Sequence, residues 1–166
     1  MSKILSISLF LACALSLVSC ATPTLSTANV FNPKRMEKVR TTAYSHNEGS
    51  GSSNAVGRRL SGAGIRSAAA DWSRFPLGTR FRIVESGEEY IIDDYGGALV
   101  GTNTIDLYKL PGAMHRWGVR RVDIDIIDWG SETESLRILR PRRRVRIVQR
   151  MIASLEKKET EKKKKI

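Results

Sequence analysis

The stretch VRRVDIDII at residues 119–127 decides the fold class of this chain. Its apolar side chains at 122, 124 and 126 alternate with polar ones at 121, 123 and 125, which is the period of a strand with one buried face. Shorter runs rich in β-branched and aromatic residues occur at residues 39–44, 65–70, 80–84, 89–93 and 105–108. These short strands, separated by turns, predict an all-β (mainly β) fold built as a small closed barrel.

Two loops interrupt the strand pattern. Residues 45–64 are rich in Gly, Ser and Asn and show no apolar periodicity, and residues 95–104 contain three glycines. Long loops inside compact domains often carry function. Residues 111–117 predict one or two helical turns. The predicted barrel domain spans residues 39–130, and its long loop at 45–64 is a candidate functional segment.

The positive charge is concentrated after the barrel. The whole chain has a formal net charge of +11, of which residues 131–166 supply +8 through thirteen Lys/Arg and five Glu. Apolar residues at 145, 148, 152 and 155 have helical spacing, whereas residues 157–165 are charged low-complexity sequence that we expect to be disordered. We predict a basic helical or disordered tail at 131–166. It is either a solvated tail or a contact for anionic envelope polymers or lipid headgroups.

The first 19 residues resemble a signal peptide. Lys3 precedes an apolar run at 4–18 that is shorter than the roughly 20 residues needed to cross a bilayer. The run ends in LVSC at 17–20, which resembles the bacterial lipobox and makes Cys20 the expected lipidation site. The alternative is cleavage of an ordinary signal peptide at a small residue. Residues 20–38 form the expected lipidated tether.

Export determines where the protein would act. We predict a lipid-anchored protein of the cell envelope, held at the outer membrane and facing the periplasm, because Ala21 follows Cys20 where Asp would favour inner-membrane retention. An exported protein does not meet the chromosome, so we expect no nucleic-acid partner despite the basic charge. Cys13 lies in the removed segment. His46 and His115 are single, and the sequence predicts neither a metal site nor a cofactor.

Three aspartates stand in recognisable local sequences. Asp71 lies shortly before FPLGT, Asp94 opens DYGGA, and Asp106 is the second residue of IDLY. With TAY at 42–44 before them and WG at 117–118 after them, they resemble the three-aspartate (3D) domain. That domain occurs at the C-terminal end of membrane-bound lytic transglycosylase A and in short stand-alone muralytic proteins. The resemblance covers about residues 40–129 and implies a double-psi β-barrel.

The resemblance also implies an activity. It implies a lytic transglycosylase that cleaves the β-1,4 bond between N-acetylmuramic acid and N-acetylglucosamine of peptidoglycan and leaves a 1,6-anhydromuramic end. Asp106 occupies the position of the family's catalytic residue, and Asp94 and Asp71 occupy positions in or beside the same groove. Peptidoglycan glycan strands are the expected partner.

The residue types suit this chemistry. Protonation of a glycosidic oxygen near neutral pH needs a carboxyl group with a raised pKa, which apolar surroundings and a neighbouring carboxylate both produce. Asp106 lies between Ile105 and Leu107, and we expect Asp94 to supply the neighbouring charge. The expected substrate-binding residues are Thr42, Tyr44, Gly96, Gly97 and Trp117.

Structural alternatives remain open for several of these residues. Asp94 and Asp71 could each cap a turn, since Asp bonds well to nearby backbone amides. Trp117 could belong to the core. For the whole protein, the alternatives to an enzyme are a non-catalytic peptidoglycan-binding module and a structural envelope lipoprotein whose basic tail does the binding.

Overall fold

The barrel is built from six strands, as the alternating pattern predicts. The structure, a computed structural model, describes residues 33–48 and 51–165. The strands are β1 Lys34–Tyr44, β2 Arg66–Ala69, β3 Arg80–Ile83, β4 Glu89–Asp94, β5 Ile105–Tyr108 and β6 Arg120–Asp128. They close in the order β1-β5-β2-β4-β3-β6, with β1–β5 and β2–β4 parallel and the other pairs antiparallel. The predicted all-β class with a small closed barrel is confirmed, and the mixed strand order agrees with a double-psi arrangement.

The inward faces of the strands meet in an apolar core. Val122, Ile124 and Ile126 of β6 are buried, as their alternation predicts. Phe81 of β3 and Tyr90 of β4 stack with ring centroids 5.5 Å apart. Burial of one such side chain contributes about 1.5–3 kcal/mol. These inward side chains therefore hold the barrel together and leave the outward positions free for other roles.

Strand β1 begins at Lys34, earlier than the predicted start at residue 39. The extension pairs with β6 across an irregularity between Met36 and Val39, where Lys38 has a φ of 52°. Arg35 and Asp125 form an ion pair at 2.8 Å across this pairing. An exposed strand needs backbone pairing and matched charges rather than apolar alternation, so the hydrophobic pattern could not reveal it.

Three α-helices accompany the barrel in the part of the chain that the structure describes: α1 Pro111–Trp117, α2 Glu132–Leu139 and α3 Arg146–Lys163. The side chain of Ser131 caps α2 by accepting a hydrogen bond from the backbone N of Glu134. Helix α3 continues through most of the stretch 157–165 for which the sequence predicts disorder, and that prediction is wrong. Glu and Lys four residues apart pair along this stretch and favour the helix, at Lys157–Glu161 and Glu159–Lys163.

Helices α2 and α3 share the core of the barrel. Leu139 of α2 and Val148, Met151 and Leu155 of α3 are buried in one cluster with the inward residues of the strands. Most basic residues of α3 lie on the opposite, exposed side of the helix. An apolar stripe, rather than charge, therefore attaches the C-terminal segment. The domain limits at 39–130 and 131–166 stay predictions from the sequence.

The N-terminal predictions lie outside the described residues. They are the signal peptide at 1–19, the lipidation of Cys20 and most of the tether at 20–38. None of the helices in the described part of the chain is long and apolar enough to cross a membrane.

Candidate functional site

A row of outward-facing residues crosses four strands of the barrel. Thr42 of β1 pairs in register with Asp106 of β5, which in turn pairs with Ala69 of β2. Ala69 pairs on its other side with Asp94 of β4. Register partners on adjacent strands share a face, and this face is the outer one because the neighbouring Leu107 is buried in the core. Two of the three predicted aspartates, Asp94 and Asp106, are thus brought to the two sides of one small residue.

Asp106 is held in place and shielded from solvent. Thr42 Oγ1 donates a hydrogen bond of 2.5 Å to its Oδ1. Burial raises the pKa of the Asp106 carboxyl above its ordinary value, and the charge of Glu48 raises it further, against the opposing effects of Thr42 and Arg40. The carboxylate that raises this pKa is Glu48, so the expectation that Asp94 supplies the charge is wrong. Glu48 lies in a loop, and only the folding of that loop brings it to β5.

Asp94 bonds to the backbone around it. Its Oδ1 accepts hydrogen bonds from the backbone N of Ala55, at 3.1 Å, and of Tyr95, at 2.9 Å. Its own carbonyl oxygen accepts a bond of 2.8 Å from Nε1 of Trp72. Burial raises the pKa of Asp94, and the charge of Asp93 adds to this rise. Asp94 therefore organises a turn, as the structural alternative holds, while it stays half-buried on the outer face.

Asp93 is a site residue that the sequence analysis missed. Its Oδ2 accepts hydrogen bonds from Nδ2 of Asn54, at 2.8 Å, and from Oγ of Ser67, at 2.7 Å. Its Oδ1 is buried without a hydrogen-bond partner in the described part of the chain. Burial raises the pKa of this carboxyl as well. The doublet Asp93-Asp94 at a strand end was the available signal, since two adjacent acids cannot both be explained by one turn cap.

Tyr44 lies among these carboxylates. Its hydroxyl is buried and has no hydrogen-bond partner among the described residues. Burial raises the pKa of this hydroxyl first of all, and the charges of Asp94, Asp93 and Asp106 raise it further. The ring packs edge-on against Tyr108, with centroids 5.6 Å apart. The predicted site residue Tyr44 therefore presents an unused donor at the centre of an acidic cluster.

The loop after β1 covers part of this face, as expected of a functional loop. Asn54 and Leu60 are buried within it. Asn54 reaches the carboxyl of Asp93, and the backbone of Ala55 reaches that of Asp94. The loop thus adds polar contacts to the acidic cluster beside those that Ser67 of β2 and Thr42 of β1 supply.

Asp71 has a different environment. It is 2% exposed, and its Oδ1 accepts bonds from the N and Oγ of Ser73 at 2.8 and 2.7 Å. Its Oδ2 accepts a bond of 2.7 Å from the backbone N of Gly101. Both oxygens therefore tie two loops together, which fits the structural alternative. A catalytic role for Asp71 stays a prediction.

The glycines after Asp94 lie against other parts of the protein. A Cβ on Gly96 would stand 3.2 Å from Cδ1 of Leu99, and one on Gly97 would stand 3.5 Å from Cδ1 of Ile147 on α3. Close packing is thus one reason for small residues here. Their contact with a saccharide stays a prediction.

Trp117 lies away from the row of outer residues. Its Nε1 is 3.3 Å from Oγ1 of Thr41, whose side chain points to the opposite face of β1 from that of Thr42. The cations of Lys109 and Arg120 stand 4.4 and 4.5 Å from the centroid of its ring. The structure therefore does not bring Trp117 to Asp106, and its role in sugar binding stays a prediction.

Within residues 33–48 and 51–165, no group of three His, Cys, Asp or Glu side chains is arranged to hold a metal ion.

Comparison with known proteins gives a partial likeness to a solved structure. No family model matches the chain. No curated protein matches it either. Among solved structures, the crystal structure of MltA from E. coli matches 46% of this chain at 24% sequence identity and a TM-score of 0.36. The match spans 27% of the MltA chain, so the activity of that whole protein is not carried over to this one.

Proposed function

We propose that this protein is a peptidoglycan lytic transglycosylase that acts in cell-wall turnover. It would cleave the bond between N-acetylmuramic acid and N-acetylglucosamine and form a 1,6-anhydro end. The observation that carries the proposal is the environment of Asp106, a half-buried carboxyl on the outer face that is oriented by Thr42 and has a raised pKa. Such a carboxyl keeps its proton to a higher pH than an ordinary aspartate does and presents it in one direction.

In the proposed reaction, one carboxyl serves both steps. The protonated Asp106 gives its proton to the glycosidic oxygen as the bond from that oxygen to C1 of the muramic sugar breaks. The resulting carboxylate then takes the proton from the C6 hydroxyl of the same sugar, whose oxygen forms the new bond to C1. The carboxyl ends protonated, as it began, and no water is consumed.

The contacts of Asp94 support a mechanism in which Asp106 is the one acid. Asp94 and Asp106 lie on the two sides of Ala69 of β2. Oδ1 of Asp94 accepts hydrogen bonds from the backbone amides of Ala55 and Tyr95, which favours a supporting role for it.

The hydroxyl of Tyr44 and Oδ1 of Asp93 lie beneath the outer face. Both are buried polar atoms without a hydrogen-bond partner in the described residues. Leaving such atoms unpaired costs about 1–3 kcal/mol each. We expect an ordered water to pair with them and to link them to a bound saccharide, because such a partner would recover part of this cost.

The alternative is a non-catalytic peptidoglycan-binding lipoprotein, favoured by the basic exposed surface of α3. Purified sacculi distinguish the two functions. Release of anhydromuropeptides, identified by mass spectrometry, supports the enzyme. Sedimentation of the protein with sacculi without any release supports the binding module and contradicts the enzyme.

We also propose that the protein is anchored by a lipid on Cys20 at the outer membrane, facing the periplasm. The support is the sequence at 17–20 alone. Replacement of Cys20 removes the thiol that accepts the lipid, so C20A should leave the membrane fraction and become soluble after cell disruption. A variant that still partitions with detergent as the parent does would contradict the anchor. Anionic envelope polymers remain a second proposed partner, through the basic residues of 131–166.

A further inference from the structure

A cavity of about 410 Å³ lies between α3 and the two loops that Asp71 ties together. Helix α3 contributes Arg150, Ser154 and Lys158, which follow one another at intervals of four residues and so share one face of the helix. The loops contribute Ser73, Arg74 and Gly101. The cavity is therefore walled on one side by a basic helix face and on the other by polar loop backbone.

Positive charge exceeds negative charge in this cavity. Three cations, those of Arg74, Arg150 and Lys158, face one carboxylate, that of Asp71. Both oxygens of Asp71 already accept hydrogen bonds from Ser73 and Gly101. The carboxylate is thus engaged by the loops, and the excess of positive charge is left facing the cavity.

Two of the three cations are fixed by the protein. Nζ of Lys158 donates a hydrogen bond of 2.5 Å to the carbonyl oxygen of Ser73. The guanidinium of Arg74 donates to Oδ1 of Asn103 and to the carbonyl oxygen of Gly101, at 2.5 and 3.2 Å. A carboxylate also stands 3.9 Å from each of them, that of Asp71 from Nε of Arg74 and that of Glu132 from Nζ of Lys158. These two charges are therefore oriented and partly compensated by the protein.

Arg150 has no ion-pair partner in the described part of the chain. Its Nη2 lies 2.8 Å from the position that a Cβ on Gly101 would occupy. Gly101 has a φ of +89°, a backbone conformation that favours a residue without a side chain. The guanidinium therefore lies close to the loop at Gly101 and has no carboxylate partner among the described residues.

We propose that this cavity is a binding site for an oxyanion of the phosphate or carboxylate type. The guanidinium of Arg150 offers two parallel donors, the geometry that suits an oxyanion. Lys158 adds a fixed point charge two helical turns further on, and the hydroxyl of Ser154 lies between them. The group could be carried by a soluble molecule or by a lipid headgroup. The proposal does not depend on the lytic transglycosylase activity.

The test is a titration of the full chain with inorganic phosphate at constant ionic strength, followed by calorimetry and by the amide NMR signal of Gly101. Constant ionic strength keeps the screening of the many surface charges equal throughout. We expect saturable binding that R150A weakens about ten-fold or more, the usual effect of losing a charge-assisted hydrogen bond. K158Q should also weaken it, although Gln can keep a bond to the carbonyl of Ser73.

R144A is the matched control, because Arg144 is an exposed arginine that precedes α3 and does not line the cavity. Thermal unfolding of R150A should match that of the parent, since no ion pair is lost. A second arm uses phosphatidylcholine vesicles with and without phosphatidylglycerol. Binding to the anionic vesicles that R150A weakens more than R144A assigns the oxyanion to a lipid headgroup, and saturable binding of free phosphate assigns it to a soluble molecule. Equal losses in R150A and R144A, or no binding in either arm, would overturn the proposal.

Discussion

Thr42 Oγ1 donates a hydrogen bond of 2.5 Å to Oδ1 of Asp106, across the parallel pairing of β1 and β5. This bond favours the ionised carboxyl and lowers its pKa, whereas burial favours the neutral form and raises it. Burial is the larger effect, and the pKa of Asp106 is raised. The hydrogen bond from Thr42 therefore orients the Asp106 carboxyl, and burial favours the form of that carboxyl that carries a proton.

Replacement of Asp106 tests the proposed catalytic group. In D106N the amide keeps the shape of the carboxyl and can accept the bond from Thr42, but it can neither give nor take the proton. We expect release of anhydromuropeptides from sacculi to fall about 100- to 10,000-fold, with binding to sacculi retained. Parent-like release by this variant would remove Asp106 from the mechanism.

The same variant should change how stability depends on pH. Because the folded-state pKa of Asp106 is raised above its ordinary value of 3.8, the folded protein binds the proton more tightly than the unfolded chain does. The stability from this group is present below pH 3.8 and is lost as pH rises through the folded pKa. D106N should therefore be at least as stable as the parent at pH 7, and its advantage should shrink on acidification, measured by thermal unfolding across pH. A lower stability of D106N at pH 7 that does not change with pH would point to lost packing instead.

Removal of the charge on Glu48 should move the pH profile of activity. Glu48 raises the pKa of Asp106, so E48Q should lower that pKa. Activity that needs the protonated acid would then decline at lower pH than in the parent, measured as the rate of anhydromuropeptide release between about pH 4 and 9. E85Q is the control, since Glu85 is an exposed residue of the β3–β4 turn. An unchanged profile in E48Q, or an equal shift in E85Q, would show that Glu48 does not act on the catalytic group.

The unpaired hydroxyl of Tyr44 gives a prediction that separates binding from folding. Y44F removes a buried polar atom that has no partner in the described residues, so the free energy of unfolding should stay the same or rise. If the hydroxyl bonds to the saccharide, the rate of release should fall about ten-fold, as expected for one lost hydrogen bond.

Tyr108 supplies the matched control for that experiment. Its hydroxyl lies 2.8 Å from Nδ1 of His46, so Y108F breaks an existing bond and should lower stability slightly. A loss of stability in Y44F as large as that in Y108F would show that the Tyr44 hydroxyl already has a partner.

Helix α3 should be necessary for a stable barrel. Met151 is fully buried in the common core, and M151A should lower the free energy of unfolding by about 2–5 kcal/mol because it leaves a cavity. Gln149 is exposed on the same helix, and Q149A should change stability little. Chemical denaturation measures both. Cooperative unfolding with parent-like stability after deletion of residues 140–166 would show that the barrel does not need the helix.

Much of the barrel could be predicted from local sequence. The alternation in β6 depends only on which side of one strand faces the core, and Val122, Ile124 and Ile126 record this directly. The strand pattern likewise placed Asp106 within the strand predicted at 105–108, and Asp94 directly after the strand predicted at 89–93. The order of the strands could not be predicted from local sequence. Strand β1 pairs with β5, and β2 pairs with both β4 and β5, so the partners are far apart in the chain.

The prediction from local sequence was wrong in the C-terminal segment, where the few apolar residues that pack on the core stand among many charged residues. The stretch 157–165 has the composition of a disordered tail, yet α3 runs through most of it because Leu155 and Met151 anchor the helix in the core. A helix that is short of apolar residues on its own can be stabilised by packing against a partner, and the partner is not visible in its sequence.

The sequence by itself determined the buried positions of the strands, the barrel class and the candidates Asp94 and Asp106, because strand periodicity and turn chemistry are properties of neighbouring residues. Only the tertiary structure decided that Glu48 rather than Asp94 acts on Asp106, that Tyr44 and Asp93 join the acidic cluster, and that Arg150 faces a cavity beside Gly101. These relationships depend on burial and on contacts between residues far apart in the chain. Burial sets the pKa of a carboxyl and the cost of an unpaired hydroxyl, and it exists only once the strands and helices have packed.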